Sequence, residues 1–195
     1  MVSGTVETDE TIWNGTRNRT LRLPIRQFLY KAIHGTQKIG RYWAHVEIFE
    51  ERAGDIIWPL VWNLWPHAPH LWPRIDIGTL LGYGAIRIPS VPLQRNPHDT
   101  EPPQQRQNYR GASRLLQILL LEAAHLIWAL RCEQVIGENT LTAPEIWNRW
   151  RQKIIKRFHQ DKIRAKFVKR TKPFSNLIKA TWNPASSAIG RLPNR

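Results

Sequence analysis

Between positions 151 and 172 the chain carries Arg151, Lys153, Lys156, Arg157, Lys162, Arg164, Lys166, Lys169, Arg170 and Lys172, against a single acid, Asp161. A segment of that charge density repels itself and favours an anionic polymer. Each phosphate it neutralises releases counterions, so binding by such a segment is non-specific in sequence and weakens with salt. These ten residues are the candidate nucleic-acid contacts, with RNA or DNA as the partner. The plain alternative is a solvated basic face.

Other chemistry-bearing residues form weaker sets. The seven histidines are His34, His45, His67, His70, His98, His125 and His159. His67 and His70 are three apart, but they lie among Pro66, Pro69 and Pro73 with no carboxylate or thiol nearby. That is a poor metal set, so neither a metal nor another cofactor is expected. His125 reads as a core histidine. Cys132 is the only cysteine, which rules out an intramolecular disulfide and any zinc site with two thiolates. Arg131 beside it favours a thiolate, yet a lone buried thiol is the simpler reading. An intracellular compartment, nuclear or cytoplasmic, suits this cysteine usage.

Acid–base chemistry needs converging carboxylates. Glu47, Glu50, Glu51 and Asp55 cluster in sequence, but without the strand scaffold of a two-metal nuclease. There is no glycine-rich phosphate loop, nucleophile elbow or Ser/Cys–His pairing. No catalytic residue is therefore expected. Trp62, Trp65, Trp128, Trp147 and Trp150 fall on or beside apolar stripes and read as core. Trp72 and Trp182 have basic or proline neighbours and could stack on a base.

The elements that must position these residues come from a chain of 195 residues, 42% apolar and 23% charged, the size of one domain. Ten tryptophans argue against wholesale disorder. The net charge of +14 is uneven: residues 1–150 hold 16 basic and 14 acidic residues, whereas 151–195 hold 13 and 1. Met1–Glu10 is polar and acidic, unlike a signal or transit peptide. The apolar stretch Leu115–Leu130 is broken by Gln117, Glu122 and His125, and is shorter than the ~18–20 residues of a membrane span. A soluble chain without a span is expected, and no membrane partner.

Periodicity predicts a mainly α protein. Residues 1–20 read as extended or disordered. Residues 21–182 read as one helical domain with a proline-rich loop at 89–110, and 183–195 as a disordered tail. A first helix begins near Pro24, with Ile25, Phe28, Leu29, Ala32 and Ile33 on one stripe and Gly35 as its C-terminal stop. A second covers Lys38–Val46. Glu47–Asp55 reads as a turn, after which Asp55 caps a helix to about Trp65. Ile75–Ile88 reads as a packed loop or short strand. Ser113–Ile136 is apolar nearly all round, which marks a central helix about 36 Å long. Thr142 to Glu145 has the capping-box pattern and opens a basic helix that runs to about Lys169. Trp147, Trp150, Ile154, Ile155, Phe158, Ile163 and Phe167 give that helix an apolar side. Phe174–Trp182 adds one short turn.

The segment RQFLYKAIHGTQKIGRYWAHVEIFEERA (Arg26–Ala53) resembles the start of the reverse-transcriptase zinc-binding region of non-LTR-type retroelements. The ribonuclease H-associated version of mushroom-forming fungi is the most similar. IWPLVWNLW, WPRIDIGTLLGYG, RLLQILLLEAAHLIWALRCEQVIG and EIWNRWRQKI resemble its following blocks in the same order. The family places a zinc knuckle after the Glu-Glu-Arg turn. Here Glu50-Glu51-Arg52 runs through Ala53-Gly54-Asp55 directly into Ile56-Ile57-Trp58. The knuckle is absent and none of its ligands carries over; an internal deletion or a skipped exon would each produce this. The resemblance implies a non-catalytic relic of the polyprotein's C-terminal region. Its residual activity would be non-specific nucleic-acid binding through the basic helix. The alternatives are a ribonuclease H-like hydrolase fragment and a Trp-rich protein-interaction module. Oligomeric state is not readable.

Overall fold

The computed structural model describes residues 7–35, 47–88, 103–137, 141–167 and 172–192. Among them the α-helices are α1 (Asp9–Arg17), α2 (Leu23–Ile33), α3 (Glu47–Trp62), α4 (Ile77–Leu81), α5 (Pro103–Gly137), α6 (Ala143–Phe167) and α7 (Lys172–Gly190). Two 3-10 turns, Pro69–Leu71 and Tyr83–Ala85, complete the regular structure, and the described residues contain no strand. The chain is mainly α, built around one long helix, as the periodicity predicts.

The centre is α5. Leu115, Leu116, Leu119, Leu120, Leu121, Ala123 and Leu130 are all at most 1% exposed. Burial on every side follows from its neighbours: α2, α3, α4, α6 and α7 all pack against it. By length and composition alone, Tyr109–Gln134 is apolar enough to cross a membrane, longer than the stretch read from the sequence. In this fold 67% of its most apolar window is buried against the other helices.

Helix α3 corrects the expected turn at Glu47–Asp55. It runs unbroken from Glu47 to Trp62. Ala53, Ile57 and Val61 form a buried stripe at i, i+4 and i+8, and Leu64 extends it just past the helix end. Gly54 weakens a helix only modestly. Pro59 sits inside α3 as well, and the burial of this stripe offsets its cost.

Two further expectations change. Asp9–Arg17 is helical rather than extended: Thr8 accepts from the Thr11 N–H, acids occupy the first turn and Arg17 the last. Tyr83 then pins this short helix by donating its hydroxyl proton to the Gly15 carbonyl at 2.7 Å. The expected short turn and disordered tail are instead the 19-residue α7. Ile178, Trp182, Ala185 and Ile189 form its buried stripe, with Pro173 in its first turn and Pro184 inside it. Within the expected proline-rich loop at 89–110, residues from Pro103 on belong to α5, and 89–102 lie outside the described residues. Ile75–Ile88 holds α4 and the second 3-10 turn, with no strand. The Lys38–Val46 helix lies outside the described residues.

Helix ends follow their sequence signals. Gly35 takes φ +59° just after α2, the left-handed conformation that glycine adopts without a Cβ penalty. Glu145 reaches back from α6 to accept the Thr142 N–H at 2.7 Å and its hydroxyl at 2.8 Å. That is the glutamate half of the capping box.

Candidate nucleic-acid interface

Helix α6 positions the candidate cations, and its packing sorts them. Trp150 and Ile154 are fully buried, while Trp147, Ile155 and Phe158 are half-buried. That fixes which side of the helix faces α3, α5 and α7. The opposite side exposes Gln152, Lys156, His159, Lys162, Ile163 and Lys166. Ile163, expected on the apolar side, is 53% exposed.

Three of the ten candidates are therefore exposed: Lys156, Lys162 and Lys166. Lys162 lays its ammonium 4.1 Å from the centre of the Phe158 ring, a cation–π contact that steadies the side chain without neutralising it. Arg151 and Arg164 are half-exposed and tied to backbone. Arg151 Nε donates to the Leu192 carbonyl at 3.2 Å, and Arg164 Nη1 to the Thr20 carbonyl at 3.3 Å. Lys153 is half-buried, with Nζ donating to His125 Nδ1 at 2.7 Å. Arg157 is only 2% exposed and cannot reach a phosphate backbone; its place on the candidate list is corrected. The side chain of Lys172, and Lys169 and Arg170 entirely, lie outside the described residues.

The inward cations have a partner that the sequence pattern hid. Asp161, the one acid of the segment, is fully buried. Its Oδ2 accepts from Arg114 Nη2 at 2.8 Å and from Trp182 Nε1 at 2.9 Å. Arg157 Nη2 stands 3.4 Å from Oδ1 and donates to the Thr20 carbonyl at 3.0 Å. Burial pushes the Arg157 guanidinium below its ordinary range, and Asp161 pulls it back up. Trp182, an expected base-stacking candidate, is 2% exposed and serves this network instead.

The consequence is electrostatic. Because Asp161 spends its charge inside, the outward face from Gln152 to Lys166 carries no carboxylate. Charge of one sign on a solvated ridge attracts polyanions at long range, with a reach set by ionic strength. Thr20 extends this surface: its carbonyl binds both Arg157 and Arg164, so the loop between α1 and α2 abuts α6. Exposed Arg17 and Arg19 belong to that loop region. No periodic signal in the sequence links positions so distant from α6 to that helix.

Comparison with known proteins finds no matching family model, no matching curated protein and no matching solved structure.

The remaining candidates sit elsewhere. Among the described residues no group of three or more His, Cys, Asp or Glu is close enough to hold a metal ion. His67 packs its ring on Trp65 at 4.8 Å, and burial lowers its pKa. Cys132 is half-buried, and desolvation raises its thiol pKa more than Arg131 and Lys31 lower it. Glu122 is buried and paired with Arg22. Trp62, expected in the core, is 41% exposed. It meets half-buried Trp72 edge to face at 5.4 Å.

Proposed function

We propose that this chain is the non-catalytic C-terminal region of a retroelement reverse transcriptase/ribonuclease H polyprotein of fungal type. Its retained activity is non-specific binding of RNA or DNA inside the cell, nuclear or cytoplasmic, along the outward face of α6. The order of sequence blocks supports the first part. One observation carries the second: Lys156, Lys162 and Lys166 face outward while Asp161, the one acid between positions 151 and 172, is buried. The pairing of the buried carboxylates Glu122 and Asp161 with arginines favours a structural role for them over a catalytic one.

The test is fluorescence anisotropy with single-stranded RNA and duplex DNA across a salt series. Replacing Lys156, Lys162 and Lys166 by Gln should keep the fold and lower the salt slope by roughly two to three units, at about 0.7–0.9 per phosphate contact. Equal affinities and slopes for the two proteins would retire this reading. A second reading, a protein-docking module, is favoured by the exposed Trp62 against Trp72. An interface anchored on tryptophan responds weakly to salt, so the same titration separates the two.

A further inference from the structure

Helices α1 and α2 carry a feature that charge alone does not use. An open groove of about 340 Å³ is lined by Thr16 of α1 and by Arg26, Gln27, Tyr30 and Lys31 of α2. Among the described residues no carboxylate lines it. Tyr30 is 54% exposed, unusual for a large aromatic. Its ring is held from behind rather than left to wander: His34 is 4.4 Å away and Trp13 6.2 Å, centre to centre. Trp13 and His34 also touch each other at 5.6 Å. The groove thus offers an exposed aromatic ring flanked by Trp13 and His34, the Arg26 guanidinium and the Gln27 amide.

We propose that this groove takes an unpaired base of a single-stranded nucleic acid, stacked on Tyr30, with Arg26 and Gln27 hydrogen-bonding the base edge or its flanking phosphate. The inference rests on the nucleic-acid reading of α6 and adds strand selectivity to it. Every base has a π-face, so a tyrosine platform accepts any of them, while a base inside a duplex is already stacked and cannot enter. Placement supports the pairing of the two surfaces. The Asn18–Arg22 loop that follows α1 is bound by Arg157 and Arg164 through Thr20. Exposed Arg17 and Arg19 belong to or adjoin this loop, which joins the groove's two helices and touches α6 through Thr20. A strand whose phosphates follow those cations brings its bases to Tyr30.

The experiment compares a single-stranded RNA oligonucleotide of mixed sequence with a blunt duplex of the same length. The proteins are wild type, Tyr30→Ala, Tyr30→Phe, Arg26→Gln and the triple Lys156/Lys162/Lys166→Gln variant, each checked for an unchanged melting profile. Tyr30→Ala should weaken single-strand binding about tenfold, the scale of one lost stacking partner, and leave duplex binding and the salt slope unchanged. Tyr30→Phe keeps the ring and should bind as wild type. Arg26→Gln should weaken the single strand alone. If Tyr30→Ala and Arg26→Gln bind the single strand as wild type does, the groove proposal is overturned while the α6 reading stands. An equal loss on duplex and single strand would also overturn it. If the triple variant matches wild type on both strand forms, the α6 reading fails, and the groove proposal falls with it.

Discussion

Lys153 Nζ stands 2.7 Å from His125 Nδ1, so a lysine of the basic helix donates to an imidazole on the central one. Burial first, then the nearby Lys153 and Arg22 cations, push His125 down to about 3. Burial likewise pushes Lys153 down to about 8, with Glu122 acting upward and Arg22 downward. At neutral pH the imidazole is therefore uncharged and accepts the lysine's proton in a hydrogen bond.

That pair makes stability depend on pH in two windows. Unfolded His125 takes up a proton near its ordinary value of 6.5, whereas the folded imidazole resists until about 3. The folded state binds fewer protons between those values, so stability falls as pH drops from 6.5 toward 3. Lys153 acts in the alkaline window. Between about 8 and its ordinary 10.5 the folded chain again binds fewer protons, so stability from this group rises with pH there. Melting temperatures from pH 4 to 10 should show both slopes. His125→Gln should flatten the acid limb and Lys153→Met the alkaline one. Unchanged limbs in these variants would mean that the pair does not control either.

Asp161 holds the junction of α5, α6 and α7 through Arg114, Arg157 and Trp182. Asp161→Ala strands two buried or half-buried arginines and should cost about 3–5 kcal/mol. Trp182→Phe loses one hydrogen bond to a charged group and should cost about 1.5–3 kcal/mol. Replacing Asp161 by Leu together with both Arg114 and Arg157 by Met should recover most of the single-variant loss, because apolar side chains need no charged partner. Urea denaturation of the four proteins checks this. A neutral Asp161→Ala would mean the network carries no stability.

The sequence made the central helix legible because Leu115 to Leu130 keeps its apolar pattern on every side. Gly35 and Glu145 were legible because helix ends need local chemistry. What it hid depends on distant partners. Asp161 looked like a stray acid in a basic run, since Arg114 and Trp182 lie 47 and 21 residues away. For the same reason Arg157 read as a phosphate contact. Pro173 and Pro184 masked α7, although Ile178, Trp182, Ala185 and Ile189 keep helical spacing; their burial against the core outweighs the proline penalty.

Gly111 lies where α5 and α7 are in close contact. A Cβ there would stand 2.5 Å from both the carbonyl carbon and oxygen of Ala180. Pro184, four residues on, supplies no N–H to that carbonyl, so the helix leaves it open where Gly111 passes. Gly111→Ala should force the helices apart and cost about 1–3 kcal/mol, despite the higher helix propensity of alanine. Ala180→Gly should not rescue it, because the nearest obstructing atoms are backbone. Gly190→Ala is the control, since a Cβ there meets nothing within 4 Å. Thermal melts of these variants decide, and a Gly111→Ala protein as stable as wild type would mean that the two helices can yield.

Arg157 and Lys156 are neighbours in sequence with opposite orientations, which allows structural and binding roles of basic residues to be separated. Arg157 is buried on Asp161 and the Thr20 carbonyl; Lys156 is exposed. Arg157→Gln leaves Asp161 with Arg114 alone as its cationic partner and releases one of the two donors that hold the α1–α2 loop. It should therefore cost about 1–3 kcal/mol of stability, while the salt slope of nucleic-acid binding stays as it is, because a buried guanidinium displaces no counterion from a phosphate. Lys156→Gln should do the reverse: stability within about 0.5 kcal/mol of wild type, and a salt slope lower by roughly 0.7–0.9. Both quantities come from the same preparations, by urea titration and by anisotropy across salt. A drop in salt slope for Arg157→Gln without a loss of stability would mean that this arginine faces the nucleic acid, and that the burial on α6 assigned here is wrong.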